Sequence, residues 1–347
     1  MIHGGDVYRN QILLDFSVNI NPFGIPEKME EALHLAVRDC VQYPDPKQEQ
    51  LCLALAEYEQ VKPEEILCGN GVSELLLALA HTICPVQAAL PIPSFFGYER
   101  SLSTVNAKIN YYEMTEETQF SLDESFLMKF KEENDVLYLA NPNNPTGKLV
   151  SVKLLEQIIL QCERNQIYVV LDECFLPFCE RSEEYHALFH KRSYPYLIRL
   201  HAFTKTFAIP GVRLGYMICD NQEFLKRVEE HLPEWNLSIF AQRVGMVAVK
   251  EQEFLKKSCV EIRKERKWLS EQLTKSGFEV ISGDANFILL KTQFPLYEML
   301  RARNILIRDC SNFKGLKEGY FRIAVKQHKE NEQLIRIIKE EAEAFGN

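Results

Sequence analysis

Lys205 stands in the run His201-Ala202-Phe203-Thr204-Lys205-Thr206-Phe207-Ala208-Ile209-Pro210-Gly211-Val212-Arg213-Leu214-Gly215-Tyr216, between two strand-like segments at residues 196–201 and 214–219. An amine adds to an aldehyde only as the neutral base, so a lysine that forms a Schiff base must be desolvated or placed near positive charge. Arg213 supplies that charge. A phosphate is held by a planar cation together with hydroxyl or amide donors, and Arg213 and Thr204 offer both. The residue types in this one stretch suit a phosphorylated aldehyde held covalently.

Three further clusters fit the same chemistry. Gly69-Asn70-Gly71-Val72-Ser73-Glu74 precedes the apolar run Leu75-Leu76-Leu77-Ala78-Leu79-Ala80, and a helix starting there would turn free backbone amides and its positive dipole end toward a phosphate. Asn141-Pro142-Asn143-Asn144-Pro145-Thr146-Gly147 follows an expected strand at 135–140, and Asp172-Glu173 follows another at 167–171. In a parallel sheet, ligands collect beyond the carboxyl ends of the strands. Residues 141–147, Asp172 and Thr204-Lys205 all fall there, so they converge in space while lying far apart in the chain.

Jointly, in this order and spacing, the four motifs resemble the fold type I, aminotransferase-like enzymes that use pyridoxal 5'-phosphate. The resemblance spans nearly the whole chain. It implies that Lys205 carries the cofactor aldehyde and later moves the proton at the substrate carbon, and that Asp172 pairs with the pyridine nitrogen and keeps it protonated. Asn144 would donate to the phenolic oxygen of the ring. Gly71, Val72, Ser73, Thr204 and Arg213 would form the phosphate cup. Tyr98, in Pro93-Ser94-Phe95-Phe96-Gly97-Tyr98, matches the aromatic that covers the ring face, with Phe95 as the alternative. Tyr43, in Gln42-Tyr43-Pro44-Asp45-Pro46, resembles the tyrosine that reaches the phosphate of the neighbouring subunit, which implies a homodimer with shared sites.

Two positions depart from the pattern. Ala202 stands where relatives commonly carry a serine or threonine, so one phosphate hydroxyl is missing. Phe175 stands where many aminotransferases carry a tyrosine that donates to the phenolic oxygen. Phe175 and the N-terminal His3-Gly4-Gly5 and Leu14-Asp15-Phe16-Ser17-Val18-Asn19-Ile20-Asn21-Pro22 resemble the threonine-phosphate decarboxylases of cobalamin biosynthesis more than the histidinol-phosphate aminotransferases. So do Ile307-Arg308-Asp309-Cys310 and the run 320–325. The implied reaction converts O-phospho-L-threonine to (R)-1-amino-2-propanol phosphate and carbon dioxide. Arg322 would grip the substrate carboxylate and Arg308 its phosphate, with His3 and Asn21 completing the substrate site; Lys326 replaces a further arginine found in relatives. The rival reactions are amino transfer, as in histidinol-phosphate or aromatic aminotransferases, and non-catalytic cofactor sensing.

These side chains need a scaffold. From residue 44 to 240, short apolar strands alternate with amphipathic stretches such as Val152–Arg164, which implies an α/β domain with a mostly parallel sheet. Residues 238–275 read as long helical stretches broken once. Beyond them, strands at 278–281, 287–291, 305–308 and 320–325 and a helix at 330–344 imply a smaller α+β domain. The expected division is an N-terminal segment 1–43 packing with the small domain, a large cofactor domain 44–240 and a small domain 241–347. A chain of 347 residues exceeds what one core usually supports. Net charge is −9 with no basic block, which argues against nucleic acid and requires a locally positive pocket for an anionic substrate. No apolar run is long enough to cross a membrane and no signal-like stretch opens the chain, so a soluble, cytoplasmic protein is expected. The ten cysteines are scattered without a C-x-x-C pair, which reads as buried thiols and gives no metal site.

Overall fold

The computed structural model describes residues 4–9 and 12–346. The strands are β1 (Leu14–Asp15), β2 (Ile66–Asn70), β3 (Gln87–Ile92), β4 (Lys108–Glu113), β5 (Val136–Ala140), β6 (Tyr168–Asp172), β7 (Leu197–Ala202), β8 (Leu214–Ile218), β9 (Glu279–Ile281), β10 (Phe287–Lys291), β11 (Ile305–Leu306), β12 (Arg308–Asp309) and β13 (Tyr320–Ala324). Seven of them form the central sheet in the order β2-β8-β7-β6-β5-β3-β4. The strands from β7 to β4 run parallel; β8 is antiparallel to both β7 and β2. The sheet is mostly parallel, as expected for an aminotransferase-like α/β fold.

Burial on both faces explains the composition of the middle strands, since a parallel sheet covered on both sides needs apolar residues at every position. In β5 all five residues are buried. Val136, Tyr138 and Ala140 face the helix Val72–Ile83, whereas Leu137 and Leu139 face Leu154, Leu155, Ile158 and Ile159 of the helix Val152–Arg164. That second helix places apolar residues at three- and four-residue spacing, and Ser151 caps it by accepting from the amide of Leu154 at 3.3 Å.

The small sheet is antiparallel, in the order β12-β13-β10-β9. It follows the helices Ile239–Ala248 and Gln252–Lys275 and is joined by the final helix His328–Gly346. β1 lies parallel to β11, and the amide of Ala324 donates to Phe16 O at 2.9 Å, so the N-terminal segment is stitched to the small sheet. The stretch expected as one strand at 305–308 is two. β11 pairs with β1 and β12 with β13; the chain changes partner at Ile307.

Among the described residues no helix is long and apolar enough to cross a membrane, and no His, Cys, Asp and Glu cluster could hold a metal ion.

Candidate active site

The adjacent parallel strands β5, β6 and β7 end side by side, with Ala140 opposite Asp172 and Asp172 opposite Leu200. Their carboxyl ends lead into Asn141, Asp172 itself and the short helix Phe203–Thr206. A cavity of about 250 Å³ opens at this edge. Val72, Ser73, Tyr98, Asn144, Asp172, Thr204, Lys205, Arg213, Arg308 and Arg322 all line it. Motifs far apart in the chain thus meet in one place.

Lys205 and Asp172 share this cavity. Burial above all, with the cations Arg213 and Arg322 adding to it and Cys174 and Asp172 opposing, lowers the Lys205 amine below its ordinary 10.5. The shift is toward the neutral base that attack on an aldehyde requires. Asp172 is held from two sides: Tyr98 donates its hydroxyl to Oδ2 at 2.6 Å, and the amide of Cys174 donates to Oδ1 at 3.0 Å. Burial and the Asp172 charge push the Tyr98 hydroxyl well above its usual range, so it stays a donor. Tyr98 is a wall of the cavity that also orients the carboxylate, while Phe95 and Phe96 line the cavity next to it. Burial likewise keeps Cys174 a thiol.

Gly71 has φ +75° and precedes the helix Val72–Ile83, whose first residues line the cavity. Gly71 is not itself part of the cavity wall; the Arg213 side chain packs where its Cβ would be, so that an alanine carbon would lie 2.4 Å from Nη2. A Cβ on Gly215 would lie 2.7 Å from the amide nitrogen of Val72. Two glycines therefore let Arg213 close against the first turn of the helix, whose leading amides lack intrahelical partners. The one cavity thus holds an anion-sized cradle, two fixed acceptors on Asp172 and a buried lysine. A phosphorylated pyridine aldehyde fits that donor set. Ala202 lines the same wall without a hydroxyl, and Phe175 meets Phe287 edge-on with ring centroids 5.2 Å apart.

The substrate side is cationic. Arg308 and Arg322 are direct cross-strand partners of β12 and β13, an arrangement in which like charges destabilise a sheet. Both are buried, and among the described residues no salt bridge neutralises either. Arg308 donates to Asp309 O at 2.6 Å and to Asn312 Oδ1 at 2.8 Å, with its guanidinium 5.1 Å from the Phe313 ring. Arg322 donates to Asn144 Oδ1 and, at 2.9 Å, to Ser17 O, leaving its buried Nε without a partner. Burial, reinforced by Arg308 and opposed by Cys310 and Asp15, pushes Arg322 down to about 10.

Two expected residues lie elsewhere. Asn21 does not line the cavity: its amide donates to Thr206 O at 2.8 Å and Ser258 Oγ at 2.9 Å, while its backbone amide donates to Lys205 O at 2.9 Å. Asn21 braces the lysine turn from behind. Asn19 lines the cavity instead, with a buried Oδ1 lacking a partner. Strict alternation would put both on one face, but Ile20 N donates to Val18 O at 3.1 Å, and that tight turn redirects the chain. No feature of residue type separates the two asparagines. Tyr43 is 81% exposed, against the Trp235 ring at 4.9 Å, and is not part of this protomer's cavity. His3 lies outside the described residues.

Comparison with known proteins agrees with this geometry. Residues 11–338 match the family described as aminotransferase class I and II. The chain is 32% identical over 332 residues to the threonine-phosphate decarboxylase of Salmonella typhimurium, covering 94% of this chain and 90% of that one. It is 35% identical over 343 residues to a protein of Caldanaerobacter subterraneus subsp. tengcongensis provisionally named threonine-phosphate decarboxylase, covering 97% and 93%. The solved histidinol-phosphate aminotransferase of Clostridium acetobutylicum superposes with a TM-score of 0.89 at 29% identity, covering 96% of this chain and all of that one.

Proposed function

Because the chain belongs to the class I and II aminotransferase family and is a pyridoxal 5'-phosphate-dependent enzyme, we propose that it decarboxylates O-phospho-L-threonine to (R)-1-amino-2-propanol phosphate and carbon dioxide. The observation that carries this reading is the buried Arg308–Arg322 pair, two cations opposite one another with no salt bridge to either among the described residues, in the cavity that holds Lys205. Their mutual repulsion and desolvation are offset when an anion with two charged groups binds between them. Phosphothreonine has both: Arg322, beside Asn144, takes the carboxylate, and Arg308 takes the phosphate.

The bound cofactor supplies an electron sink for the pair released when a bond to the substrate α-carbon breaks. The chain supplies the rest. Val72, Ser73, Thr204 and Arg213 hold the phosphate end, Asn144 serves the phenolic edge, and Asp172 keeps the ring nitrogen charged. Lys205 binds the aldehyde as the free amine and afterwards returns a proton to the α-carbon. Phe95, Phe96 and Phe313 give the cavity apolar walls. Which bond breaks depends on which one the two arginines set perpendicular to the ring. Arg322, on the small sheet, would grip the carboxylate, and decarboxylation requires that this grip hold the carboxylate bond perpendicular to the ring.

The neighbouring reading is amino transfer to 2-oxoglutarate from histidinol phosphate, supported by the likeness to the Clostridium enzyme. One experiment separates them: incubate the pure holoenzyme with phosphothreonine or histidinol phosphate, with and without 2-oxoglutarate. Carbon dioxide and the amino-alcohol phosphate are expected from the first substrate without any keto acid. Turnover of histidinol phosphate alone, and only with 2-oxoglutarate, overturns the proposal. On the same reading the enzyme acts in the cytoplasm, in cobalamin biosynthesis. It works as a homodimer in which the exposed Tyr43 reaches the partner's cofactor phosphate, beside exposed apolar residues Leu35, Val37 and Val41.

A further inference from the structure

We propose that Ser17 is a positioning residue, one that fastens the backbone of Gly4-Gly5 across the cavity and couples that strap to the grip of Arg322. Ser17 is fully buried and lines the cavity, as Gly4 does. Every polar atom of Ser17 is engaged. Its amide donates to Asp15 Oδ1 at 2.8 Å and its hydroxyl donates to the same oxygen at 2.6 Å. The hydroxyl oxygen accepts from the amide of Gly5 at 2.7 Å, and the carbonyl accepts from Arg322 Nη2 at 2.9 Å.

A turn between Asp15 and Ser17 would by itself be a local matter. The other two bonds are not local, because they reach twelve residues back to Gly5 and 305 residues forward to Arg322. Only a group that donates and accepts at once can bridge Asp15 and Gly5, and a hydroxyl does both. The glycines fit the same purpose. A Cβ on Gly4 would sit 2.4 Å from Ser17 O, the very carbonyl that Arg322 uses, so the strap lies directly on the peptide that aims the guanidinium. Gly5 has φ +83°, and a Cβ there would press on Val18 Cγ1 at 3.0 Å. Strap, Ser17 and Arg322 therefore move as one unit: an anion that pulls on Arg322 steadies the strap, and a loose strap releases the peptide that orients Arg322.

The test is amide hydrogen exchange of the peptide covering residues 4–9 in the holoenzyme, with and without acetate as the carboxylate probe for Arg322, for wild type, Ser17→Ala and Ser17→Thr. The proposal expects exchange at Gly5 to rise about tenfold in Ser17→Ala and to stay near wild type in Ser17→Thr. Acetate should slow exchange in wild type and have little effect in Ser17→Ala. Exchange at Gly5 unchanged by Ser17→Ala overturns it. Should the alanine variant fail to fold, Ser17→Cys, near in size and a weak donor, takes its place with the same expected outcome. A kinetic arm rests on the proposed reaction and expects KM for phosphothreonine to rise about tenfold with kcat within about threefold of wild type. If wild type does not turn over phosphothreonine, the functional reading has failed, and the exchange result still decides the role of Ser17.

Discussion

At the scale of single residues, Arg308 and Arg322 are the most revealing, because nothing in folding favours two buried guanidinium groups opposite each other on neighbouring strands. Arg322→Lys keeps a charge but loses the fork that reaches Asn144 and Ser17 together. It should lower kcat/KM for phosphothreonine by about 10–100-fold, the equivalent of roughly 1.5–3 kcal/mol of charge-assisted hydrogen bonding. Arg308→Lys should raise KM for phosphothreonine and leave binding of the isolated cofactor, followed by its visible absorbance, unchanged. Lys205→Ala should abolish the visible band and reduce turnover by at least 10²–10⁴-fold, roughly the contribution of a positioned acid–base group. A variant that kept full activity would remove Lys205 from the chemistry.

At the scale of elements, two junctions decide the site. The first is the close approach of Gly71 on β2's carboxyl side to Arg213 and of Gly215 on β8 to the helix at Val72. Gly71→Ala puts a Cβ into the guanidinium at a φ of +75°, so it should weaken cofactor binding at least about tenfold in an absorbance titration and leave the overall fold intact by circular dichroism. The second junction lies beneath the lysine turn. Glu173, next to Asp172, is fully buried; Arg199 Nε donates to it at 2.7 Å and His201 stands 3.3 Å away. Burial pushes this carboxyl up, but Arg199 and His201 outweigh it and leave it at about 2, below its ordinary 4.5. A depressed carboxyl stabilises the fold above the unfolded value and loses that contribution as pH falls from about 4.5 toward about 2. Glu173→Gln should therefore flatten the acid limb of the stability curve. Arg199→Met strands a buried charge and should cost about 3–5 kcal/mol in denaturant unfolding.

At the scale of the whole molecule, the cavity lies where the carboxyl edge of the large sheet faces β12 and β13 of the small one, and side-chain contacts elsewhere tie the two sides together. Lys314 donates to Glu99 and to Tyr111, both at 2.6 Å, and Lys291 pairs with Glu116. The proposed dimer adds a third side, and it can be tested by mixing inactive variants. Lys205→Ala and Tyr43→Ala subunits, unfolded and refolded together, should regain up to about a quarter of wild-type activity, because half of the dimers are mixed and each mixed dimer holds one intact site. No recovery above the separate variants would place Tyr43 outside the partner's site. Much of this was legible beforehand. The helix Val152–Arg164 was readable end to end because its apolar period and Ser151 cap are local properties, and the lysine, aspartate and glycine motifs were readable because their chemistry is tied to residue type. Strands β2, β3 and β4 were not picked out. The break at Ile307, the exchange of Asn21 for Asn19 and the role of Ser17 were hidden, since each depends on which distant backbone a peptide group meets. The chain by itself determined the elements and the reactive groups, through side-chain chemistry and near-neighbour periodicity. Only tertiary packing decided which asparagine, which serine and which pair of arginines face the same cavity, because a turn of one residue or a change of strand partner reverses the direction of a side chain without altering its type.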